Sequence, residues 1–505
     1  MIRKFGCKLS IVPIIGFIFF IMLQSSVFAS MPSLGSEQGV YVIEKTSGDV
    51  VIAQHENEKY YPASVTKLMT ALVTIEAIGG QLDQQVVVGT EINTLGWDSS
   101  LADLEVGERY TWKELLYGML LPSGNDAALT LAASVGRKQL GNDELSSEEA
   151  IKHFVQMMND KAGEMGLSNT HFTNPHGLHH EDHYTTPKEL VAIGQAALKN
   201  KVISDITNTK IYEVKGTTGI NHVWRNSNVL LYENAEDFNI PEKRTLEDVI
   251  KYSGNDNPYY TSIAKGGKTG FEDEAEHCLL FSGFADGKEI VGVVLKASER
   301  GMVFKQSQDI LKTVDSDYTC IVWSEGDKTY IESKLFFGHL FDGFKLSAKT
   351  SGVAASLVPK KQESNVKTTI SWNSELLEDK GNYLKIINPF EAGEEIGTID
   401  VYDQEVLLKQ IPLIAEEGRR PMFWIDYMII IGIPVIVILL IIVLVVHNRK
   451  KKAMLNRYEE EKRKAIIAVK ARQNYRNQEN DPMLMGQIET SDLKQQNQQN
   501  DGVEL

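Results

Sequence analysis

The chain has 505 residues, a formal net charge of −16 at pH 7 and 42% hydrophobic residues. This length is enough for about three domains and a large buried core. The acidic balance argues against a nucleic-acid partner, because nucleic acids are bound by basic surfaces, and it does not by itself identify a substrate.

The N-terminus has the pattern of a secretory signal peptide over residues 1–29. Arg3, Lys4 and Lys8 precede the apolar stretch Leu9–Leu23, and Val27-Phe28-Ala29 supplies a small-residue cleavage site. We predict cleavage after Ala29, with an uncleaved membrane anchor as the alternative.

Cleavage there would remove Cys7 and leave two cysteines, Cys278 and Cys320. One disulfide between them is possible, but two cysteines do not define a framework. Two separate thiols are the favoured interpretation.

The mature chain is predicted to begin with a β-hairpin, whose two apolar runs are separated by the turn signal Ser47-Gly48-Asp49. The first predicted elements are a hairpin over Gly39–Gln54, a buried helix over Ser64–Ile78, a helical region over Leu115–Gly136 interrupted at Pro122–Asn125, a helix over Glu148–Met165 and a helix over Lys188–Leu198. The periodicity of the fourth element places Ile151, Phe154, Val155 and Met158 on its buried face.

Ser64 and Lys67 lie three residues apart at the start of the first predicted helix. Residues i and i+3 share a helix face, so the Lys67 amine can reach the Ser64 hydroxyl. A serine hydroxyl is a weak nucleophile that needs a neighbouring base, and burial lowers the pKa of a lysine towards that role. Pro62 suits a helix start, where free N–H groups can stabilise an oxyanion. A Ser-x-x-Lys pattern also occurs by chance, so it indicates a catalytic pair only together with other motifs in the chain.

The loop Thr173–Tyr184 contains four histidines: His176, His179, His180 and His183. A zinc site is one interpretation. However, two of the histidines are adjacent, and the chain has neither a second cluster with ligand spacing nor a His-Glu-x-x-His helix. We expect a polar loop near the active site and no metal.

Residues 201–262 carry no clear pattern, and an antiparallel sheet is predicted after them. Its strands are expected at Ala264–Phe271, Cys278–Ala285 and Glu289–Leu295, and Asp286-Gly287 makes the last turn. Ser307–Val314 is predicted to be a closing helix.

The pattern then changes to short strands, which predict a small all-β domain over residues 317–418. The predicted strands are Val366–Trp372, Tyr383–Ile387, Ile396–Tyr402 and Val406–Leu413. This segment shows no catalytic constellation, so a spacer or docking module is the favoured interpretation.

A transmembrane helix is predicted over residues 424–447. Met428–Val446 is an uncharged apolar run long enough to cross a bilayer, and Trp424 and Tyr427 are interfacial anchors at one end. Arg449–Lys452 at the other end is cytoplasmic by the positive-inside rule. Residues 30–422 are therefore expected outside the cytoplasm, and residues 448–505 form a cytoplasmic tail, first charged and helical, then disordered.

Three short patterns occur in a fixed order: Ser64-Val65-Thr66-Lys67, Ser123-Gly124-Asn125 and Lys268-Thr269-Gly270. Together they resemble the active-site set of penicillin-binding proteins and serine β-lactamases. With the Asn174–Leu178 loop, they look like the D-alanyl-D-alanine carboxypeptidase family of low-molecular-mass penicillin-binding proteins. The resemblance covers about residues 36–315, and the β segment is similar to the C-terminal domain of that family.

The resemblance implies an α+β fold of the penicillin-binding-protein/β-lactamase-like transpeptidase type. In this fold, an antiparallel sheet is flanked by helices and joined to a helical lobe. The catalytic domain would cover residues 30–316, followed by the β domain, the membrane helix and the tail.

The resemblance also implies roles for the first two patterns. Ser64 would attack the carbonyl of the penultimate D-alanine, and Lys67 would take its proton. Ser123 would relay a proton to the leaving amine, and Asn125 would orient the substrate.

The third pattern would bind the substrate from the opposite side. Lys268 and Thr269 would hold the terminal carboxylate, and the charge of Lys268 would keep the pKa of Lys67 low. Gly270 would let the substrate strand lie close to the backbone, and the N–H groups of Ser64 and Phe271 would form the oxyanion hole. This chemistry requires neither metal nor cofactor.

The implied activity is removal of the terminal D-alanine from peptidoglycan stem peptides, with β-lactams as covalent inhibitors. The sequence departs from the family pattern in two places. The interval between Ser123 and Lys268 is longer than in the family, which suggests an insertion over residues 201–262. Pro187-Lys188-Glu189 stands where the family often has a small residue and an aspartate.

Two other functions use the same acylation. A β-lactamase would add rapid deacylation, but no clear glutamate motif for a deacylating water is visible. A membrane-bound β-lactam sensor is compatible with the span and tail, although sensors usually carry their spans before the extracellular domain.

Overall fold

The computed structural model describes residues 31–234, 257–326, 328–335, 345–421 and 423–479. The predicted signal peptide with its cleavage site, the middle of the predicted insertion and the end of the tail lie outside the described residues.

The described helices and strands follow the chain as a mixed α and β pattern. The α-helices are α1 (Lys67–Ile78), α2 (Trp112–Leu120), α3 (Asn125–Leu140), α4 (Ser147–Glu164), α5 (Pro187–Lys199), α6 (Lys201–Asn208), α7 (Arg300–Asp317), α8 (Trp424–Tyr427) and α9 (Ile433–Glu479). The first nine strands are β1 (Gly39–Glu44), β2 (Val50–Gln54), β3 (Gln85–Val87), β4 (Arg109–Thr111), β5 (Ile211–Lys215), β6 (Asn221–Arg225), β7 (Ala264–Glu272), β8 (Glu276–Ala285) and β9 (Lys288–Ala297). The later strands are β10 (Tyr318–Ser324), β11 (Ile331–Lys334), β12 (Lys345–Thr350), β13 (Ala354–Pro359), β14 (Val366–Trp372), β15 (Leu377–Asp379), β16 (Leu384–Ile386), β17 (Glu395–Asp403) and β18 (Val406–Ala415).

The central element is a five-stranded antiparallel sheet in the order β2-β1-β9-β8-β7. The predicted hairpins β1–β2 and β8–β9 are both confirmed. Asp286 and Gly287 both have positive φ angles, 51° and 75°, which is the type I′ geometry that matches the twist of the flanking strands.

Helices cover both faces of this sheet, because alternate residues of a strand point to opposite sides. In β9, Val291, Val293 and Leu295 pack into the core of the helical lobe. Ile290 and Val294 pack into a second core with α7. A strand buried on both faces reads as a continuous apolar run, as β9 does.

The helices before β7 form the helical lobe, and the bounds of α1 to α5 agree with the predicted helices to within a few residues. The helix α6 lies in residues 201–262, for which no element was predicted. α4 begins after Ser146, whose side chain accepts a hydrogen bond from the N–H of Glu149. Its fully buried face is Ala150, Phe154, Met158 and Ala162. The predicted buried face was therefore partly wrong, because Ile151 and Val155 are only half-buried. The rest of the lobe packs against the row of residues spaced four apart that begins at Ala150 and ends at Ala162.

Five strands that follow α7 in the chain form a second sheet in the order β11-β12-β18-β17-β14. This sheet packs on a hydrophobic core of its own. It shares one compact unit with the first sheet. Lys409 donates to the carbonyl oxygens of Ser47 and Ala355 and to Asp49, at 2.6, 2.9 and 2.8 Å. Asp49 also accepts from the N–H of Leu357 on β13, which pairs with β10 in a separate two-stranded sheet. The β1–β2 turn is therefore bonded to β18 of the second sheet through Lys409 and to β13 through Leu357.

Cys278 and Cys320 are both free thiols, as expected. Cys278 is buried on β8, and Cys320 lies on β10, where its Sγ is 3.6 Å from Glu44.

A second unit contains α8, the π-helical turn Met428–Gly432 and α9. Among the described residues, one helix, Trp424–Asn474, is long and apolar enough to cross a membrane. Pro434 follows the π-helical turn inside this continuous helix, and proline is tolerated in helices that cross a membrane. The helix continues well past the apolar run, so the charged start of the predicted tail is helical.

Candidate active site

Ser64 and Lys67 meet where the chain enters the helical lobe. Ser64 lies in the 3₁₀ turn Ala63–Thr66, and Lys67 is the first residue of α1. Lys67 Nζ lies 2.8 Å from Ser64 Oγ. Ala63 holds a left-handed φ of 47°, a strained conformation of a kind that clusters at active sites.

Lys67 Nζ has two further partners, Asn125 Oδ1 and the carbonyl oxygen of His176, both at 2.7 Å. Both of these oxygens can only accept hydrogen bonds. A neutral amine has two hydrogens and one lone pair, so these two contacts leave the lone pair for the hydroxyl of Ser64. The geometry therefore suits an amine that removes the Ser64 proton.

Electrostatics favour the neutral form of Lys67. Its side chain is fully buried, and this burial, followed by the positive charge of Lys268, holds the pKa of Lys67 well below its ordinary value. The predicted influence of Lys268 is present, but burial is the larger cause because the charged form loses its water.

Ser123 and Lys268 form a second pair. Ser123 lies in the break between α2 and α3 with a left-handed φ of 65°. Lys268 Nζ lies 2.8 Å from Ser123 Oγ and donates also to the carbonyl of Thr269. Burial lowers the pKa of Lys268 to about 7. A hydroxyl held by such a group can exchange protons near neutral pH.

Asn125 is positioned by the start of α3. Its N–H donates to the carbonyl of Ser100 at 2.8 Å. The next residue, Asp126, accepts from the N–H groups of Ala102 and Leu104. These bonds hold the Ser100–Leu104 segment against the helix start, which fixes the Asn125 amide beside Lys67.

The last four predicted site residues, Lys268–Phe271, lie on β7. Gly270 allows close packing inside the protein: an added Cβ would lie 3.0 Å from the carbonyl oxygen of Pro62 and 3.2 Å from the nitrogen of Ser64. Strand β7 therefore touches the turn that carries Ser64. Thr269 is half-buried and Phe271 is 52% exposed, whereas Lys268 and Gly270 are buried.

The histidine loop supplies a contact that the sequence patterns did not indicate, the carbonyl of His176. Its buried neighbour His183 places Nε2 2.8 Å from Oγ1 of Thr66, in the turn that carries Ser64. Burial lowers the pKa of His183 to about 3 and keeps the ring neutral. His180 is exposed, whereas His176 and His183 are buried. No group of metal-binding side chains is found among the described residues.

Comparisons with known proteins agree with this arrangement. A family model described as D-alanyl-D-alanine carboxypeptidase matches residues 27–241. The D-alanyl-D-alanine carboxypeptidase of Streptomyces sp. (strain K15) is 30% identical over 267 residues, which cover 52% of this chain and 80% of that protein. The chain belongs to the D-alanyl-D-alanine carboxypeptidase family. The predicted family and enzyme class are thereby confirmed.

Other members of the family match over more of the chain. D-alanyl-D-alanine carboxypeptidase DacF of Bacillus subtilis is 28% identical over 390 residues, covering 77% of this chain and 87% of that protein. This longer match extends the similarity beyond the catalytic part.

Solved structures confirm the predicted fold type. Penicillin-binding protein 5 from Haemophilus influenzae has a TM-score of 0.60 at 22% identity and covers 77% of this chain and 99% of its own. D-alanyl-D-alanine carboxypeptidase DacD from Francisella tularensis has a TM-score of 0.56 at 21% identity, with 78% and 96% coverage.

Proposed function

We propose that this protein removes the terminal D-alanine from peptidoglycan stem peptides through an acyl-enzyme on Ser64. The observation that carries the proposal is the contact set of Lys67 Nζ, in which two obligate acceptors take the amine hydrogens and the lone pair is left for Ser64. Family membership supports the same substrate class.

Acylation begins when Lys67 takes the proton of Ser64 and the oxygen attacks the carbonyl carbon of the penultimate D-alanine. The N–H groups of Ser64 and Phe271 stabilise the resulting oxyanion. Collapse of this intermediate breaks the peptide bond and forms an ester.

The leaving D-alanine needs a proton on its nitrogen and a counter-charge for its carboxylate. Ser123 relays to this nitrogen the proton that Lys67 took from Ser64, so Lys67 is neutral again for deacylation. The contact of Ser123 with Lys268 supports that transfer. Lys268 and Thr269 hold the carboxylate. Water then hydrolyses the ester and restores the Ser64 hydroxyl. β-Lactams acylate the same serine, but their ring-opened product stays attached.

The test uses the full-length protein in detergent with a fluorescent penicillin and a peptide ending in D-Ala-D-Ala. The expected result is a long-lived adduct on Ser64 and release of D-alanine, both abolished in Ser64→Ala and retained in the exposed control Ser168→Ala. An adduct lost within seconds would instead identify a β-lactamase. A stable adduct without D-alanine release would identify a sensor, and the absence of any adduct would overturn the proposal.

The apolar helix supports membrane anchoring, with the catalytic part outside the cytoplasm and the tail inside. Protease added to intact spheroplasts should digest residues before the span and leave a protected C-terminal fragment. Digestion of the tail with survival of the catalytic part would reverse this topology.

A further inference from the structure

Ser227 connects two of the site's elements. It follows β6, in the stretch that carries no clear sequence pattern. Its N–H donates to the carbonyl of Leu121, two residues before Ser123, at 3.0 Å. Its hydroxyl lies 2.6 Å from Thr269 Oγ1 on β7.

The neighbours of Ser227 fix its position. Asn226 is buried and its amide donates to the carbonyls of Thr207 and Thr209 at 2.8 and 3.0 Å. Asn228 is fully buried and its amide donates to the carbonyl of Gly266 at 3.3 Å, just before Lys268. The backbone of Ser227 is thus flanked by two anchored residues. The side chains of Ser227 and Thr269 are half-buried, so a ligand can reach them.

The short contact between the two hydroxyls has a consequence for a bound carboxylate. A hydroxyl carries one hydrogen, so Thr269 can donate to an anion only if it does not donate to Ser227. Lys268 draws the anion to this end of the cleft. The Ser227 hydroxyl then donates to Thr269 Oγ1, and donors linked in this way polarise each other.

We propose that Ser227 is a positioning residue for the terminal carboxylate of the substrate. Its hydroxyl donates to Thr269 Oγ1 and thereby directs the Thr269 hydroxyl toward the carboxylate beside Lys268. This inference rests on the carboxypeptidase function proposed above.

The experiment compares two thioesters of an acylated D-alanine in the full-length protein. One has mercaptoacetate as leaving group and so carries the carboxylate, and the other is its methyl ester. Because the thioester bond is reactive in both, hydrolysis is measurable with and without the charge. For Ser227→Ala we expect kcat/KM for the mercaptoacetate thioester to fall about tenfold and that for the methyl ester to change less than about twofold.

Three further variants complete the test. Ser227→Thr keeps a hydroxyl and should restore activity, and Ser168→Ala should match wild type on both substrates. Thr269→Val should also lower kcat/KM for the mercaptoacetate thioester more than for the methyl ester. Adding Ser227→Ala to Thr269→Val should cause no further fall in kcat/KM, because Ser227 acts through Thr269.

Equal losses on both thioesters in Ser227→Ala would overturn the inference and leave a structural role. No loss on either, or additive losses with Thr269→Val, would overturn it as well. Failure of the proposed function is separate: wild type would then release no D-alanine from the peptide while still preferring the mercaptoacetate thioester.

Discussion

Lys67 Nζ lies 2.7 Å from the main-chain carbonyl oxygen of His176, which is 109 residues further along the chain. This carbonyl is delivered by a turn in which Gly177 adopts a φ of +91°. A Cβ on Gly177 would lie 2.0 Å from the carbonyl oxygen of Ala63. The histidine loop and the turn Ala63–Thr66 are therefore in direct backbone contact.

Gly177→Ala should consequently impair acylation. The methyl group forces the loop away from Ala63 and removes the His176 carbonyl from Lys67, and a displacement of about 1 Å can cost about 100-fold in rate. We expect a loss of this order in the rate of fluorescent-penicillin acylation. Gly163→Ala is the matched control, because this helical glycine has open space around it. Wild-type acylation in Gly177→Ala would contradict the role of the loop.

Asn125→Asp should move the pH dependence of acylation. The substitution places a carboxylate 2.7 Å from Lys67 Nζ. An opposite charge at this distance raises the pKa of Lys67 by about 1–3 units, so the amine stays protonated to higher pH. The rising limb of the acylation profile should shift to higher pH by a similar amount, and activity near pH 7 should fall.

The exposed substitution Asn57→Asp provides the control and should leave the profile unchanged. A fall in activity for Asn125→Asp without any shift of the rising limb would mean that Asn125 contributes only substrate contacts.

The wild-type profile of kcat/KM should be bell-shaped. The active form has a neutral Lys67 and a charged Lys268, so the rate rises with pH through the lowered pKa of Lys67 and falls above the Lys268 pKa of about 7. A bound carboxylate favours the charged form of Lys268, so the falling limb of kcat should lie at higher pH.

Lys268→Arg tests this assignment, because arginine does not titrate in this range. The falling limb of kcat/KM should disappear from its profile. A falling limb that stays near pH 7 in this variant would assign it to another group.

Lys409→Met should weaken the attachment of the β1–β2 turn and of β13 to β18 of the second sheet. It removes three hydrogen bonds that reach Ser47, Asp49 and Ala355 while keeping an apolar stem. The Lys409 and Asp49 side chains are only 27% and 28% exposed, so we expect the free energy of unfolding to fall by about 1–3 kcal/mol in urea titrations.

Penicillin acylation should stay within about twofold of wild type, because Lys409 is not part of the site. Lys385→Met, which removes an exposed ion pair between β15 and β16, should cost little. A large loss of acylation in Lys409→Met would show that the second sheet positions the catalytic residues.

The local elements of this protein were predictable from its sequence. The Ser64–Lys67 pair follows from helical spacing, and the β8–β9 hairpin follows from Asp286-Gly287, since both depend on neighbours within a few residues. The apolar run after Tyr427 likewise has the length of a membrane helix whatever the rest of the chain does. The buried face of α4 was predicted only in part, because periodicity cannot tell which of two adjacent rows a packing partner will cover.

The contacts that decide the chemistry depend on the tertiary structure. Lys268 meets Ser123 across 145 residues, and Ser227 meets Thr269 across 42. The carbonyl of His176 is a backbone atom, and every residue type has one, so no sequence pattern marks it. The sequence by itself determined which residue types could supply a nucleophile, a base and a cation. Only the folded chain, by removing Lys67 and Lys268 from water and placing acceptors around them, decided how those groups are oriented and charged.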